Sequence, residues 1–273
     1  FRTNERIIFI KFRPKSNRNK AKASEKPDYQ SDKLQTVTEQ ADGIRLNKYI
    51  ANSGVCSRRE ADKLIEKGQI TADNKVIAEL GYKVKPGVVI RYNKRVLKPE
   101  KQVYLLLNKP KGFISTTSDP DDRKTVMDLV SKACEEQIFP VGRLDRMTTG
   151  LLLFTNDGEL AKKLTLPTHK IKKIYQVELN KAINQGDFEK IAEGLTLEDG
   201  KATVDDLAIV SDDGKTLGIE IHMGKNRIVR RIFEHLGYQV EKLDRVAYGE
   251  LSKKDLPRGN WRFLTEKEAL WLK

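Results

Sequence analysis

Arg143 and Asp145 stand one residue apart in a turn-like stretch that leads into an apolar run from Leu151 to Phe154. The run predicts a buried strand, so the stretch would hold a carboxylate and a cation at the edge of that strand. A carboxylate fixed beside cations in this way is suited to act as a nucleophile or a general base. Gly142 and Gly150 bound the stretch and permit a tight turn or a close backbone approach. The alternative is that Arg143 and Asp145 are ordinary surface residues in a loop before a core strand.

The composition indicates a partner that carries negative charge. The chain of 273 residues has 52 lysines and arginines against 39 aspartates and glutamates, which gives a formal net charge of +13 at pH 7. Such an excess favours nucleic acid as the partner ahead of a membrane or an acidic protein, although a lysine-rich solvated surface alone would give the same sum. The length allows two domains, or one large domain with a tail.

The cysteines and the apolar runs indicate the compartment. Cys56 and Cys134 lie far apart and offer neither a disulfide framework nor the spacing of metal ligands. The longest apolar runs are too short to span a bilayer, and no stretch resembles a cleavable secretory signal. We therefore expect a protein of the reducing cytoplasm that does not enter a membrane.

Residues 1–43 are basic and contain few apolar side chains after the first ten positions. This composition predicts a disordered basic arm. Such an arm would add affinity for phosphates without sequence preference. The alternative, equally open, is a tail that only keeps the protein soluble.

Residues 44–98 predict a small unit of two helices and a hairpin. Apolar residues follow helical spacing from Ile44 to Ile50, and Ser57 with Glu60 forms a capping box that opens a second helix toward Gly68. A hairpin with a turn at residues 72–74 follows, and a further strand is predicted over 88–92. Five cations of the two helices are candidates for binding RNA phosphates: Arg45, Lys48, Arg58, Arg59 and Lys63. The alternative is a generic small α+β domain with a solvated charged face.

Residues 99–273 alternate irregularly between strand and helix patterns, which predicts a mixed α+β domain built on a long sheet. A basic helix is predicted from Lys225 to Leu236, with Gly237 as its C-terminal cap. A second capping box, at Thr265 and Glu268, predicts a short final helix.

The chain resembles the bacterial pseudouridine synthases that modify ribosomal RNA. The resemblance covers roughly residues 44–264 and rests on several separate motifs. Gly-Arg-Leu-Asp at 142–145, followed by Thr-Gly-Leu-Leu, is similar to the catalytic signature of that family. Residues 44–98 resemble the RNA-binding module of ribosomal small-subunit protein four. The resemblance implies an α+β fold: this module, then a catalytic domain on a long mixed, mainly antiparallel sheet.

The resemblance also implies roles for three residues. Asp145 matches the family's nucleophile, and Tyr175, within Lys-Lys-Ile-Tyr, matches the aromatic ring on which the target base stacks. Arg230 occupies the position that pairs with the aspartate and favours its ionised form; its alternative role is a helix residue that contacts a phosphate. Many relatives carry Gln where this chain has Ile228, so the lining of the pocket around Arg230 differs from theirs.

Two further arginines are expected to contact RNA: Arg227, beside Arg230 in the basic helix, and Arg143, which would enter the gap left by the flipped base or bind a neighbouring phosphate. Arg143 could instead brace the loop. Leu243 could pack under the base, although a core role suits it as well. The three histidines are scattered and no glycine-rich phosphate loop is present, and isomerising a uridine needs neither metal nor cofactor.

The sequence therefore predicts a monomeric isomerase that converts uridine to pseudouridine in ribosomal RNA or pre-ribosomal particles. The run after Thr149 looks more like relatives that act on the large-subunit RNA, with small-subunit RNA as the alternative. A noncatalytic RNA-binding or ribosome-assembly protein is the alternative from another class. The intact trio of Asp145, Tyr175 and Arg230 argues against that alternative.

Overall fold

The computed structural model describes Lys26, Pro27, Tyr29 and residues 43–273. Most of the predicted basic arm therefore lies outside the described residues. Tyr29 belongs to that arm, and it is buried against the large sheet, where its ring meets the ring of Tyr104 edge-on at 5.2 Å. Its hydroxyl donates a hydrogen bond to the carbonyl of Leu264 at 2.6 Å. This part of the arm is thus anchored to the fold.

Residues 44–98 contain short helices and strands around a core of their own. The elements are β1 (Ile44–Arg45), α1 (Leu46–Asn52), α2 (Arg58–Glu66), β2 (Ile70–Ala72), β3 (Lys75–Ile77), β4 (Lys83–Val84), β5 (Ile90–Tyr92) and β6 (Arg95–Val96). Strands β3, β2, β5 and β6 form one antiparallel sheet in that order, and β1 pairs with β4. Leu46, Ile50, Ala61 and Ile65 bury the inner faces of the two helices against this sheet.

Two local signals in this region act as the sequence predicts, but the first helix begins at Leu46 rather than Ile44, because Ile44 and Arg45 pair with β4. Ser57 accepts a hydrogen bond from the amide of Glu60, whose carboxylate accepts one from the Ser57 amide, so the capping box opens α2. Asp73 and Asn74 both have positive φ, at 47° and 69°, which is the geometry of a tight hairpin turn. α2 ends one turn before the next strand, and its outer face stays charged.

The rest of the chain surrounds one large sheet. Its elements are β7 (Tyr104–Lys109), α3 (Val126–Val130), β8 (Phe139–Pro140), β9 (Thr149–Thr155), α4 (Gly158–Thr165), β10 (Lys173–Leu179), α5 (Gln185–Glu193), β11 (Leu195–Leu197), β12 (Gly200–Ala202), β13 (Asp206–Ile209), β14 (Thr216–Ile221), α6 (Ile228–His235), β15 (Val240–Tyr248), β16 (Leu251–Ser252), β17 (Trp261–Phe263) and α7 (Glu266–Leu272). A short 3-10 helix follows α4 at Pro167–His169.

Among the described residues, nine strands join in this sheet, in the order β13-β14-β10-β15-β9-β7-β17, with β16 beside β15 and β8 beside β9. Every pairing is antiparallel except that of β15 with β9. The predicted long, mixed and mainly antiparallel sheet is confirmed. β11 and β12 form a separate hairpin. Every residue of β7 and β9 is buried, so both faces of the sheet are covered along these two strands.

The parallel pair places β15 very close to the start of β9. Gly150 has φ +106°, and a Cβ atom there would lie 2.2 Å from the carbonyl oxygen of Arg245 and 2.5 Å from its nitrogen. Only glycine allows this approach. The sequence-based expectation of a close backbone contact at Gly150 is therefore met, and β15 is held against the loop that carries Asp145.

The basic helix α6 begins later than predicted. The expected start was Lys225, but the helix starts at Ile228 because Arg227 adopts a left-handed backbone with φ +48°. A non-glycine residue in this region is uncommon, and such strain is often kept at functional sites. In the described part of the chain, none of the helices is long and apolar enough to cross a membrane.

Candidate active site

Asp145 lies in the loop between β8 and β9, and the buried side chain of Lys109 holds that loop in place. Lys109 ends strand β7 with no exposed surface. Its ammonium donates to the carbonyls of Thr148 at 2.8 Å, Asp145 at 3.1 Å and Pro110 at 3.1 Å, with the carbonyl of Arg146 at 3.4 Å. The buried ammonium of Lys109 therefore fixes the backbone on both sides of Asp145.

Further bonds tie the same loop to the segment after β7. The hydroxyl of Ser115 donates to the carbonyl of Leu144 at 2.9 Å and accepts from its amide at 3.2 Å. The amide of Gly112 donates to the carbonyl of Arg146 at 2.9 Å. Burial lowers the pKa of Lys109 to about 8, while the charge of Asp145 opposes this shift. The loop is thus rigid on its inner side and open on its outer side.

The carboxylate of Asp145 faces two arginines of the α6 region. Its Oδ2 lies 3.5 Å from Nη1 of Arg227 and 4.0 Å from Nε of Arg230. The Asp145 side chain is 38% exposed, so a substrate can reach it. The carboxylate thus lies within 4.0 Å of two guanidinium groups and is open to solvent on its remaining side.

Arg230 is buried, whereas Arg227 is not. The Nη1 of Arg230 donates to the carbonyl of Val240 at 2.8 Å, which fixes the guanidinium, and its Nε has no hydrogen-bond partner among the described residues. Burial, followed by the charge of Arg227, lowers the pKa of Arg230. Arg227 also approaches Glu234 at 3.4 Å. Arg227, predicted only as an RNA contact, thus lies as close to the carboxylate as Arg230 does.

A cavity of about 250 Å³ opens beside Asp145, and Tyr175 lies in its wall. This volume suits one flat base better than a larger ligand. Tyr175 belongs to β10 and is largely buried, and Leu243 of β15 lines the same cavity. Leu243 also packs in the main core, which is one of the two roles considered for it. Ile228 is buried at the start of α6 and contributes an apolar patch to the same cavity.

The charge of the cavity is strongly positive. Its lining contains one carboxylate, that of Asp145, and five cations: Arg143, Lys173, Lys225, Arg227 and Arg245. Arg143 is exposed at the mouth, where it can meet a phosphate. Such a site favours an anionic ligand such as a nucleotide.

The predicted cations of the small unit lie at the surface. Arg45 is exposed. Three exposed cations of helix α2 form what we call the α2 basic face: Arg58, Arg59 and Lys63. Lys48 pairs with Glu159 of α4 at 2.5 Å. The α2 basic face is available for a polyanion, whereas Lys48 already has a partner within the chain.

Three cations that support the Asp145 loop or line the cavity were not predicted from the sequence: Lys109, Lys173 and Arg245. Each is a cation in a strand at a position where an apolar residue is the rule, and that was the available signal. Asp244, next to Arg245, was also missed. Burial by itself would raise the pKa of Asp244, but hydrogen bonds from Arg258, Lys253 and Thr149 lower it to about 2. This carboxylate ties the start of β9 to β15.

The described residues contain no group of three or more His, Cys, Asp or Glu side chains that could hold a metal ion. His222 instead pairs with Asp205 at 2.7 Å.

Comparison with known proteins identifies the family. The sequence profile of RNA pseudouridylate synthases matches residues 103–235, and that of the S4 domain matches residues 44–90. An uncharacterized RNA pseudouridine synthase of Aquifex aeolicus is 38% identical over 233 residues, which cover 84% of this chain and 93% of the relative. The ribosomal large subunit pseudouridine synthase B of Bacillus subtilis is 41% identical over 229 residues, 82% of this chain and 93% of the relative.

A third relative, the dual-specificity RNA pseudouridine synthase of Escherichia coli, is 37% identical over 231 residues, which cover 83% of this chain and 77% of the relative. A crystal structure of a pseudouridylate synthase superposes with a TM-score of 0.60 at 27% identity, and covers 85% of this chain and all of that one.

The fold and the aspartate site together define an RNA-modifying isomerase. The chain belongs to the RNA pseudouridine synthase family, with an S4 domain ahead of the synthase domain. The predicted family, fold class and enzyme class are confirmed.

Proposed function

We propose that this enzyme converts a specific uridine of large-subunit ribosomal RNA to pseudouridine, with Asp145 as the nucleophile. The observation that carries the proposal is the placement of the Asp145 carboxylate, 3.5 and 4.0 Å from two arginines, at the mouth of a base-sized cavity walled by Tyr175. The Bacillus subtilis relative is named for the large ribosomal subunit, which supports this choice of substrate.

Tyr175 is the platform for the target base. A uridine must leave its stack before its glycosidic bond can be reached, at a cost of a few kcal/mol. Stacking of the freed base on an aromatic ring returns about 1–3 kcal/mol. Tyr175 is held by β14 and β15 on its two sides, so the ring is positioned before the base arrives.

Arg230 and Arg227 hold the Asp145 carboxylate in position by their positive charges, and the exposed Arg143 meets the displaced strand or a phosphate next to the target. The reaction exchanges a C–N bond for a C–C bond without any change in oxidation state. The chain's own residues therefore suffice, and we expect no metal or small-molecule cofactor to be required.

The rest of the chain supplies RNA affinity. We propose residues 44–98 as the RNA-binding module, with the α2 basic face on the RNA, and residues 99–273 as the catalytic domain. Residues 1–43 would add phosphate contacts as a basic arm. The enzyme would act as a monomer on ribosomal RNA or pre-ribosomal particles in the cytoplasm.

The test is release of tritium from RNA labelled at carbon 5 of uridine, because that hydrogen is lost when carbon 5 becomes the glycosidic carbon. Unmodified large-subunit RNA, small-subunit RNA, total small cellular RNA and pre-ribosomal particles are offered separately. We expect release from the large-subunit RNA at one nucleotide, which is then mapped. Release from the small-subunit RNA alone would overturn the substrate assignment, and no release from any RNA or pre-ribosomal particle would overturn the proposed activity.

A further inference from the structure

Two cations lie on the same face of the sheet as Tyr175 and line the same cavity. Lys173 is two residues before Tyr175 in β10, and Arg245 of β15 is the direct cross-strand partner of Tyr175. A bulge at Val246 sets Tyr248 opposite Lys173. All four side chains line the cavity.

Arg245 is 3% exposed and uses little of its hydrogen-bonding capacity. Its Nε donates to the carbonyl of Leu151 at 2.7 Å, and its guanidinium lies 4.7 Å from the centre of the Tyr248 ring. The buried Nη2 has no hydrogen-bond partner among the described residues. Leaving a buried donor of a charged group unsatisfied is costly, so a ligand at this wall would relieve the cost.

Lys173 is half-buried beside it. Its ammonium donates to the carbonyls of His222 at 2.9 Å and Ile171 at 3.2 Å, which leaves one of its three protons for a ligand. Burial and then the charge of Arg245 lower the pKa of Lys173 to about 8. In the part of the chain that the structure describes, neither cation forms an ion pair with a carboxylate. The fold thus keeps two neighbouring cations without a carboxylate in direct contact among the described residues.

The burial of Arg245 limits which part of an RNA substrate can reach it. Phosphates of a bound strand are met at the mouth, where Arg143 and Arg227 are exposed. A group that meets the buried Arg245 must instead enter the cavity that Asp145 and Tyr175 also line. In the proposed function that group is the flipped uracil, whose carbonyl oxygens O2 and O4 accept hydrogen bonds.

We propose that Lys173 and Arg245 bind the carbonyl oxygens of the flipped uracil and stabilise the negative charge on the ring while it is detached from the sugar. The inference rests on the proposed function. An oxygen of the Asp145 carboxylate bonds to C1′ as the bond from C1′ to N1 breaks, and the electron pair of the broken bond goes to the ring and spreads onto O2 and O4. C5 of the turned ring later displaces that carboxylate from C1′. The ring is then bonded to C1′ through C5, the C5 proton leaves, and N1 takes up a proton, so atoms and electrons balance.

Preorganised donors aimed at developing charge act in the transition state more than in the bound ground state. The removal of one such donor typically slows a reaction by about 10²–10³-fold. We therefore assign Arg245 as a catalytic residue and Lys173 as its partner. Cytosine has an amino group in place of O4 and would meet the cations with a donor, so the same pair favours uracil.

The test measures single-turnover rate and RNA affinity for Arg245→Met, Arg245→Lys and Lys173→Met. Arg245→Met should lose about 10²–10³-fold in rate with RNA affinity within threefold of wild type, and Arg245→Lys should recover at least tenfold of that loss. Lys173→Met should lose at least tenfold. The matched control is Arg262→Met, which removes a part-buried arginine that pairs with Glu268 at 2.6 Å outside the cavity; its rate should stay within threefold.

A second substrate separates catalysis from structure. RNA with 5-fluorouridine at the target has a ring that holds negative charge better by itself. The loss caused by Arg245→Met, followed as consumption of the target nucleotide, should therefore be at least tenfold smaller on this RNA. Equal losses on the two RNAs, or a rate for Arg245→Met within threefold of wild type, would overturn the inference. If Arg245→Met does not fold, Lys173→Met is judged by the same two criteria. An inactive wild type on every RNA would overturn the proposed function itself.

Discussion

Replacement of Lys109 by methionine tests whether the Asp145 loop is built on a buried cation. Methionine has a similar length and no charge, so Lys109→Met leaves no large cavity. It removes three hydrogen bonds of 2.8–3.1 Å and leaves the carbonyls of Pro110, Asp145 and Thr148 without this donor. An unsatisfied buried acceptor costs about 1–3 kcal/mol.

Three such carbonyls would cost about 3–9 kcal/mol, and the loop's outer side admits water, which favours the lower half. We expect Lys109→Met to lower the free energy of unfolding by about 3–5 kcal/mol. For a protein of this size that corresponds to a fall in Tm of roughly 6–20 °C. The carboxylate of Asp145 should also move in this variant. A misplacement near 1 Å costs about 10²-fold in rate, so we expect a loss of that order.

The assays are thermal unfolding, single-turnover rate and RNA affinity. The matched control is Lys111→Met, because Lys111 is the exposed lysine two positions along. The control should keep its Tm within about 2 °C and its rate within threefold, and a lost phosphate contact would appear only in RNA affinity. If Lys109→Met melted within 2 °C of wild type and reacted at the wild-type rate, Lys109 would not hold the loop.

Three further predictions concern the frame of the site, the buried carboxylate and the RNA surface. Gly150→Ala should fail to give folded protein in expression and circular dichroism trials, because its Cβ would lie 2.2 Å from a backbone oxygen; Gly112→Ala, with φ +90° and nothing within 4 Å, should fold at a cost of about 1 kcal/mol. Asp244→Asn should lower the free energy of unfolding at pH 7 by about 2 kcal/mol in urea titrations. Because the pKa of Asp244 is lowered in the folded protein, its stabilisation is present above the ordinary value of 3.8 and is lost as the pH falls toward 2. The wild type should show that loss of stability, and the variant should not. Replacing all three cations of the α2 basic face by Gln should reduce the slope of log affinity against log salt by about 2–3, whereas an unchanged slope in filter-binding assays would place the RNA elsewhere.

The sequence predicts the reacting groups better than their supports. Asp145, Tyr175 and Arg230 could be named because each stands in a short motif, and the structure brings all three to one cavity. Helix starts with a capping box were predictable for a similar reason, since Ser57 and Thr265 act through residues three positions away. Both kinds of prediction depend on interactions between residues that are close in the sequence.

The supports depend on long-range geometry. Lys109 donates hydrogen bonds to carbonyls of a loop 36 to 39 residues away in the sequence. Its position at the end of a strand therefore did not indicate which groups it would bind. Arg245 faces the cavity together with Tyr248 only because of the bulge at Val246, and simple alternation would place those two side chains on opposite faces. The start of α6 was misplaced because no sequence rule puts Arg227 in a left-handed conformation. These features are set by the packing of β15 against β9 and β10.

The most direct test of the central claim is tritium release from large-subunit RNA by wild type and by Asp145→Asn under single-turnover conditions. The substitution keeps the size and the backbone bonds of Asp145 and removes only the carboxylate charge. We expect the wild type to release tritium from one nucleotide, and Asp145→Asn to release none above background while its RNA affinity stays within threefold. Release by Asp145→Asn within tenfold of the wild-type rate would contradict the assignment of Asp145 as the nucleophile.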